Sequence, residues 1–340
     1  MKIGETNIFL QSDDYGESYN TSRDILELVK KGHLDGVSVI TNMKDHEKYH
    51  DMFMKAIPEM KRLPYITVHL DLVEGRLIGT ADPDPVEKLA GASPDKDARD
   101  GLIPWTWKSL FLLSFHLPVS DLNGNRMRYK EVLEQLKTEI ACQLRRGFDF
   151  IYEAQTIASE SGIKCEPQTY RIDSHQHAHL IPIVWKALTY LLDKNNLEFD
   201  HIRTAHEPLW PFIRNLGFGR GGVKPIGLIK NRILAFLAPK AERYIRDHGQ
   251  KPAYLWGLVM TGHMDMDRID RVMPHMLGVC EKKGYDLELN IHPGSMLESE
   301  VTDEIPRESA DDFYLSKNRA MEAETARTFH AWLKEFSKTI

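Results

Sequence analysis

The alternation of short apolar runs with longer amphipathic segments most constrains the fold of this chain. Residues 7–12 are typical of a buried strand, and residues 19–34 follow with apolar side chains spaced for one face of a helix. Repetition of this pair predicts parallel βα units, closed or nearly closed into a barrel. We therefore expect one α/β domain over residues 1–340, a barrel-like fold with about seven parallel strands. The predicted strands are residues 7–12, 36–42, 65–72, 169–174, 199–204, 253–260 and 285–292.

Residues 76–128 interrupt the alternation of predicted strands and helices. The segment is rich in Pro, Asp and Gly and then becomes apolar. It is typical of a long insertion at one strand end, where loops build the substrate sites of βα barrels, so we expect it near the active-site face. Trp105 and Trp107 within it are candidate platforms for stacking on a sugar. The alternative for both is a place in the core or in a subunit contact.

Polar side chains lie at or near the carboxyl ends of five of the predicted strands. In parallel βα folds the chemistry gathers at the carboxyl ends of the strands. Taken singly, each residue has an ordinary explanation as a turn, a helix cap, a buried hydrogen-bonding group or an ion pair. Their coincidence at one face instead predicts a site, and one carboxylate with two imidazoles is typical of a hydrolytic metal centre. The residues are Asp13, Asp14, His69, Asp173, His175, His177, His179, Arg203 and His292.

The densest of these stretches is DSHQHAH at residues 173–179. Side chains two apart on an extended segment point the same way, so His175 and His177 can both face the site. We favour His175 as the metal ligand, because it lies at the strand end together with Asp173, and keep His177 as the alternative. The histidines left over, His177 and His179, would bind substrate or hold other groups of the site in place.

Five local patterns resemble, in order, those of the YdjC-like carbohydrate deacetylases, a family that includes chitooligosaccharide and hopanoid-biosynthesis deacetylases. The chain departs from the family pattern at Tyr15, Val73 and Ala205, which stand where the family has Phe, Thr and Pro, and in the segment 76–128, which is longer than in compact members. The resemblance spans nearly the whole chain. The matching stretches are QSDDYG (11–16), HLDLVEG (69–75), DSHQHAH (173–179), HIRTAHEP (201–208) and ELNIHPG (288–294).

This resemblance implies a barrel-like βα fold related to NodB-type polysaccharide deacetylases. It also implies hydrolysis of N-acetyl groups on amino sugars with a divalent metal. Carried onto the matching positions, it implies Asp14, His69 and His175 as metal ligands, Asp13 as the general base and His292 as the general acid.

Amide hydrolysis needs a nucleophile, a place for the oxyanion and a proton for the departing amine. A metal supplies the first two, because it acidifies a bound water and polarises the acetyl carbonyl. Asp13 can take the proton of the water, and His292 can protonate the amine. Arg203 would orient Asp13 or stabilise charge near the acetyl oxygen. The expected cofactor is one divalent ion, zinc or magnesium, with manganese, iron and cobalt as alternatives.

The expected partner is an N-acetylated amino sugar, either an oligosaccharide or a lipid-linked glycan. His263 follows a predicted strand and is a candidate for the pocket lining, while Glu74 and Glu207 are candidates for contacts with sugar hydroxyls. Residues 216–248 combine a Gly-rich stretch with a basic, apolar helix. They predict either peripheral contact with a membrane surface or a solvated helix packed on the barrel. For the oligomeric state, a homodimer is kept as an alternative to a monomer.

Net charge and cysteine content limit the class of partner and the cellular compartment that we expect. A formal net charge of −6 argues against a nucleic-acid partner, which calls for a basic excess. Cys142, Cys165 and Cys280 are widely separated, which favours a reducing compartment without a disulfide framework. The first residues lack the apolar core of a signal peptide, and no apolar run approaches the roughly 20 residues that span a bilayer. We therefore expect a cytoplasmic protein.

Two other functions compete with the deacetylase. A metal-dependent amidohydrolase or phosphoesterase also uses an HxH element, but amidohydrolases usually place it after the first strand, where this chain has Asp13 and Asp14. A phosphoesterase with two metals would need more carboxylates than these strand ends offer. The second alternative is a catalytically silent sugar-binding protein. Against it, every predicted catalytic position carries a competent residue.

Overall fold

A single sheet organises the computed structural model, which describes residues 1–79, 101–216, 225–307 and 313–339. Seven strands run parallel and curl into a half-barrel, in the spatial order sixth, fifth, fourth, third, second, eighth and seventh. The first strand pairs antiparallel with the second. The prediction of a barrel-like α/β fold with seven parallel strands is confirmed. The strands are β1 (Lys2–Ile3), β2 (Thr6–Tyr15), β3 (Gly36–Val39), β4 (Tyr65–Leu70), β5 (Tyr170–Ser174), β6 (Phe199–Ile202), β7 (Ala253–Trp256) and β8 (Asp286–Ile291).

Amphipathic helices connect these strands and cover the outside of the sheet. Ser18 caps the N-terminus of the first helix, and its side chain accepts a hydrogen bond from Thr21 N. This helix buries one apolar face. The eighth ends at Gly284, whose left-handed backbone closes the helix. The helices of the described residues are α1 (Tyr19–Lys30), α2 (His46–Ala56), α3 (Trp107–Ser114), α4 (Tyr129–Glu160), α5 (Pro182–Lys194), α6 (Trp210–Leu216), α7 (Pro225–Asp247), α8 (Met266–Lys283) and α9 (Asn318–Phe336).

The strands are largely buried because helices and the barrel interior cover both of their faces. Every residue of β3, β7 and β8 is buried. Helix α4 approaches β4 closely at Gly147, where a Cβ atom would lie 2.4 Å from Cγ2 of Val68. A larger residue at position 147 would therefore push the long helix off the sheet.

Two segments differ from the sequence expectations. The predicted strand 253–260 ends at Trp256, because Gly257 turns the chain with φ 142° and a Cβ there would lie 2.3 Å from Asn290 O. The alternation argument took His175 and His177 as part of an extended segment, but residues 175–180 form a 3₁₀ turn. The alternation argument for His175 and His177 therefore does not apply.

The two irregular regions singled out in the sequence are partly described. Of the predicted insertion 76–128, residues 80–100 lie outside the described residues; the remainder contains α3 and packs through Ile103 and Leu110 into the main core. Of residues 216–248, residues 217–224 lie outside them, and α7 accounts for most of the rest. Over the described ranges, no helix has the length and apolar character needed to cross a bilayer.

Candidate metal centre and active site

The carboxyl ends of the strands meet around one cavity of about 340 Å³. The parallel arrangement brings together residues that are far apart in the sequence, as the position of polar groups after each strand predicted. Helix α7 contributes Gly227 and Lys230 to the opposite wall, and the segment before α9 contributes Phe313 and Tyr314. The predicted site residues that line the cavity are Asp13, Asp14, His69, His175, His177 and His292.

Asp13 and Asp14 are adjacent, and on a regular strand they would point to opposite faces. The pairing of β2 with β3 shifts register between Ser12 and Tyr15, and Asp14 has a left-handed backbone with φ 69°. Aspartate tolerates this conformation better than most residues. The local irregularity turns both carboxylates into the same cavity, which is the usual purpose of a bulge beside an active site.

Asp14, His69 and His175 form a compact, buried group of potential metal-ligand atoms. Asp14 Oδ1 lies 3.7 Å from His69 Nε2 and 3.5 Å from His175 Nδ1. The ligand atoms of a tetrahedral zinc are about 3.4 Å apart, given metal–ligand distances of about 2.0–2.2 Å. The spacing of this group therefore fits a divalent metal. Burial opposes ionisation of Asp14, but the hydrogen bond with His175 and the charge of Arg319 outweigh it and lower its pKa.

The second nitrogen of each imidazole is occupied. His69 Nδ1 lies 2.7 Å from Asp173 Oδ1, and His175 Nε2 lies 2.9 Å from the Tyr314 hydroxyl. An ionised carboxylate only accepts hydrogen bonds, so the proton of His69 sits on Nδ1 and the lone pair of Nε2 faces Asp14. Such outer partners fix the tautomer and the ring orientation of metal-binding histidines.

A second set of potential ligands, Asp13, His69 and Asp173, also lies close together. Arg203 already supplies the positive charge there, since its Nη2 lies 2.8 Å from Asp173 Oδ2. His69 also turns its protonated nitrogen toward Asp173. In the part of the chain that the structure describes, the geometry therefore favours one metal rather than two.

Asp13 stands beside the Asp14 group with its oxygens bound by protein donors. Arg203 donates from Nη1 to Oδ2 at 2.7 Å and from Nη2 to Oδ1 at 2.9 Å. Asn290 donates to Oδ2 at 2.9 Å, and Ser38 lies 3.0 Å from Oδ1. Burial would raise the pKa of Asp13, but the charge and the hydrogen bonds of Arg203 hold it well below its usual range. Asp13 is therefore ionised and precisely oriented at neutral pH.

His292 reaches the cavity from the end of β8. Its Nε2 lies 3.9 Å from Asp13 Oδ2, its ring packs edge-on against Phe313, and its backbone N–H donates to Glu322 Oε2 at 2.7 Å. Burial lowers the pKa of His292 to about 4, against the opposing charges of Asp14 and Asp13. The imidazole is therefore neutral at pH 7 and able to accept a proton before giving one.

The other histidines of the stretch 173–179 differ in their surroundings. Gln176 and His177 both have left-handed backbones, with φ 52° and 58°, which costs on the order of 1–3 kcal/mol each. This turn places His177 in the cavity wall, and no described group hydrogen-bonds its Nδ1. His179 is fully buried between Ser174 Oγ at 2.6 Å and Arg203 O at 2.7 Å. It therefore supports the strand ends from behind the cavity.

Several predicted substrate contacts lie elsewhere. Trp105 is 1% exposed in the core and leaves no ring face for a sugar, so the stacking prediction has no support there. Trp107 is half-buried and stacks on Phe111 with ring centroids 5.1 Å apart. Glu74 is buried, and Tyr314 and Gln176 donate to its carboxylate. His263 lies in the turn after β7, beyond the lining of the cavity.

Glu207 was also a candidate for contact with sugar hydroxyls. Its carboxylate instead accepts hydrogen bonds from the backbone N–H groups of Gly257, Leu258 and Val259, all of which line the cavity. The side chain therefore shapes the cavity wall through the backbone rather than by contact with a ligand.

Sequence reasoning missed several members of the site. Asn290 lies on β8, two residues before His292. Alternate residues of a strand point to the same side, so this spacing could have identified Asn290 as a site residue. Lys230, Tyr314 and Arg319 follow no strand, and the rule that chemistry collects at strand ends gives no signal for them. Arg319 is 2% exposed and donates to Asp14 Oδ2 at 3.2 Å.

Fold and site together define a parallel βα half-barrel with a buried Asp–His–His group at the carboxyl ends of its strands. The family model for YdjC-like proteins matches residues 162–335, and the chain belongs to the YdjC-like family. Membership supports a carbohydrate-processing enzyme with a sugar substrate. No curated protein matches the chain.

Among solved structures, the chain is similar to a crystal structure from Enterococcus faecalis V583 that is named a candidate cellobiose-phosphate cleavage protein. The TM-score is 0.47 and the sequence identity 15%, and the match covers 95% of each chain.

Proposed function

We propose that this protein is a metal-dependent carbohydrate N-deacetylase, which hydrolyses the acetamido group of an amino sugar in an oligosaccharide or a lipid-linked glycan. The observation that carries the proposal is the division of labour within the Asp pair. Asp14 Oδ1 lies 3.7 Å from His69 Nε2 and 3.5 Å from His175 Nδ1. Asp13 lies next to this group and forms an ion pair with Arg203.

Asp14, His69 and His175 would hold one divalent metal, for which zinc or magnesium is our first choice and manganese, iron and cobalt are alternatives. When bound, such an ion acidifies water and polarises the acetyl carbonyl. The buried setting strengthens each of these electrostatic contributions.

The protein groups account for the proton that must move from the attacking water to the amine. Asp13 accepts the proton of the water, because it is ionised and oriented by Arg203. Its depressed pKa makes it a weak base, so it passes the proton on rather than keeping it. His292 is neutral and only 3.9 Å away, and it can receive this proton and deliver it to the amine nitrogen as the C–N bond breaks.

The cavity wall offers both apolar and polar groups for the sugar. Leu258, Val259 and Phe313 provide apolar surface, and His177, Thr261 and Lys230 provide polar groups. His177 is the predicted substrate contact that the structure favours most, since it lines the cavity and its Nδ1 has no described partner. Contacts from Trp107 and His263 stay predictions, as does membrane contact through residues 216–248.

A phosphoesterase with two metals is less consistent with this arrangement. The second set of potential ligands contains Asp13 and Asp173, and the guanidinium of Arg203 contacts both of them. A cation placed there would have to displace a buried arginine, which is costly.

Release of acetate tests the proposal. The enzyme should be incubated with a panel of N-acetylated monosaccharides, oligosaccharides and lipid-linked sugars, before and after treatment with a chelator. We expect acetate from at least one of them, loss of the activity with chelator and recovery on addition of metal. Absence of any chelator-sensitive release across the panel would count against the deacetylase.

A further inference from the structure

We propose that Tyr314 and Arg319, which lie just before α9 and in its first turn, are positioning residues that hold two metal ligands, His175 and Asp14. The inference rests on the proposed function only in taking those two residues as ligands. It adds a part of the centre that no strand end supplies, since both residues lie more than twenty positions after β8.

Arg319 holds the oxygen of Asp14 that faces away from the histidines. Its Nη2 donates to Asp14 Oδ2 at 3.2 Å, whereas Oδ1 is the atom that faces His69 and His175. Its Nη1 donates to Gly294 O at 3.2 Å, which ties the guanidinium to the loop after β8. The arginine thus leaves one carboxylate oxygen for the metal and fixes the rotation of the carboxylate.

Tyr314 orients His175 in a similar way. Its hydroxyl lies 2.9 Å from His175 Nε2 and 3.0 Å from Glu74 Oε2. A histidine that binds a metal through Nδ1 carries its proton on Nε2, so it donates to the tyrosine oxygen, and the tyrosine donates to Glu74. Gln176 donates to the other oxygen of Glu74 at 3.1 Å, which anchors the end of this chain of hydrogen bonds.

The two residues act as one unit. The guanidinium of Arg319 lies over the rings of Phe313 and Tyr314, at 4.7 and 5.1 Å from their centroids. Phe313 lines the cavity and packs against His292. The segment from 313 to 319 therefore joins the metal ligands, the proposed acid and the cavity wall.

Tyr314 also packs in a small apolar cluster with Ile40, Met43, Met296 and Ile305, so a purely structural role must be separated from positioning. Tyr314→Phe keeps the ring and removes only the hydroxyl. Arg319→Lys keeps the charge and removes the forked geometry. Tyr285→Phe is a matched control, since its hydroxyl also donates to a glutamate, Glu242, at 2.7 Å. Arg62→Lys, paired with Asp35, serves as the arginine control.

The experiment measures the dissociation constants of Zn²⁺ and Co²⁺ by competition with a chromophoric chelator, together with the visible spectrum of the Co²⁺ protein and the melting temperature without metal. We expect Tyr314→Phe and Arg319→Lys to bind about 10–100-fold more weakly, with altered Co²⁺ spectra. Both controls should bind as the wild type does. The melting temperature of Tyr314→Phe without metal should stay close to that of the wild type.

Binding of Tyr314→Phe within twofold of the wild type, with an unchanged Co²⁺ spectrum, would overturn the inference for Tyr314. The same result for Arg319→Lys would overturn it for Arg319. If Arg319→Lys does not fold, Tyr314→Phe decides whether this segment positions the centre. A wild type that binds neither ion would instead refute the proposed metal centre itself.

Discussion

Arg203 donates to both carboxylate oxygens of Asp13, from Nη1 at 2.7 Å and from Nη2 at 2.9 Å. The same guanidinium contacts Glu288 at 2.6 Å and Asp173 at 2.8 Å, and it is 1% exposed. One buried cation therefore contacts three carboxylates from β2, β5 and β8 and compensates their charge.

Loss of this arginine should destabilise the protein severely. Arg203→Met leaves three buried carboxylates facing one another, and we expect the free energy of unfolding in urea to fall by about 3–5 kcal/mol. Arg128→Met removes the exposed ion pair with Glu131 and should cost less than about 1 kcal/mol. Equal losses in the two variants would contradict the role assigned to Arg203.

Glu288 should make stability depend on acid pH. Burial opposes its ionisation, but Arg203 and the hydrogen bond with His201 lower its pKa from 4.5 to about 2. Because the folded pKa lies below the unfolded one, the stabilisation is present above pH 4.5 and is lost as pH falls toward 2. Its share of the slope is at most about 1.4 kcal/mol per pH unit.

Urea unfolding of the wild type and Glu288→Gln between about pH 5 and about pH 3 measures that share. The difference in free energy between the two proteins should shrink as pH falls, because glutamine does not titrate. Glu335→Gln, at an exposed ion pair with Lys338, should follow the wild type throughout. A difference that stays constant with pH would exclude the depressed pKa of Glu288.

Asp173 should control the affinity for metal through His69. In Asp173→Asn the amide oxygen would stay opposite Ser38 and Arg203, which donate to Oδ2 at 2.6 and 2.8 Å. The amide NH₂ would then face His69 Nδ1 and move the histidine proton to Nε2, where it blocks the metal.

We expect the dissociation constant for Zn²⁺ to rise about 10–100-fold in Asp173→Asn. Asp200→Asn is the control on the neighbouring strand; its carboxylate accepts from Thr169 N at 2.6 Å, away from the cavity. Wild-type affinity in Asp173→Asn would show that this carboxylate does not set the tautomer of His69.

His292→Ala should impair turnover without loss of metal. The residue lies outside the Asp14 group but within 3.9 Å of Asp13, so its loss interrupts delivery of the proton to the amine. The turnover number for acetate release should fall by about 10²–10⁴ at unchanged metal content. His248→Ala, at an exposed histidine, should leave both quantities as in the wild type. A comparable loss of metal in His292→Ala would instead make it a ligand.

Much of the fold was predictable because parallel βα units leave a strong pattern. Strands such as Gly36–Val39 and Asp286–Ile291 are short and buried, and helices follow several of them. The strand ends then located Asp13, His69 and His292 on one face. These inferences depend on periodicity and on the direction of the strands, both of which the sequence records.

The parts of the site that the sequence did not predict depend on local backbone geometry and on contacts between residues distant in the sequence. Asp14 reaches the same cavity as Asp13 only because of its left-handed backbone, and His177 lines it only because Gln176 and His177 both turn. A periodic pattern contains no sign of such turns. Arg319 comes from the last helix, and only the packing of the full chain brings it to Asp14.

The division of labour between Asp13 and Asp14 is the central claim, and a pair of variants tests it most directly. Metal bound per chain and acetate released from an N-acetylated sugar should be measured for Asp13→Asn and Asp14→Asn. We predict that Asp13→Asn keeps its metal and loses turnover by about 10²–10⁴, whereas Asp14→Asn loses both. Loss of metal in Asp13→Asn, or wild-type turnover in either variant, would contradict the account.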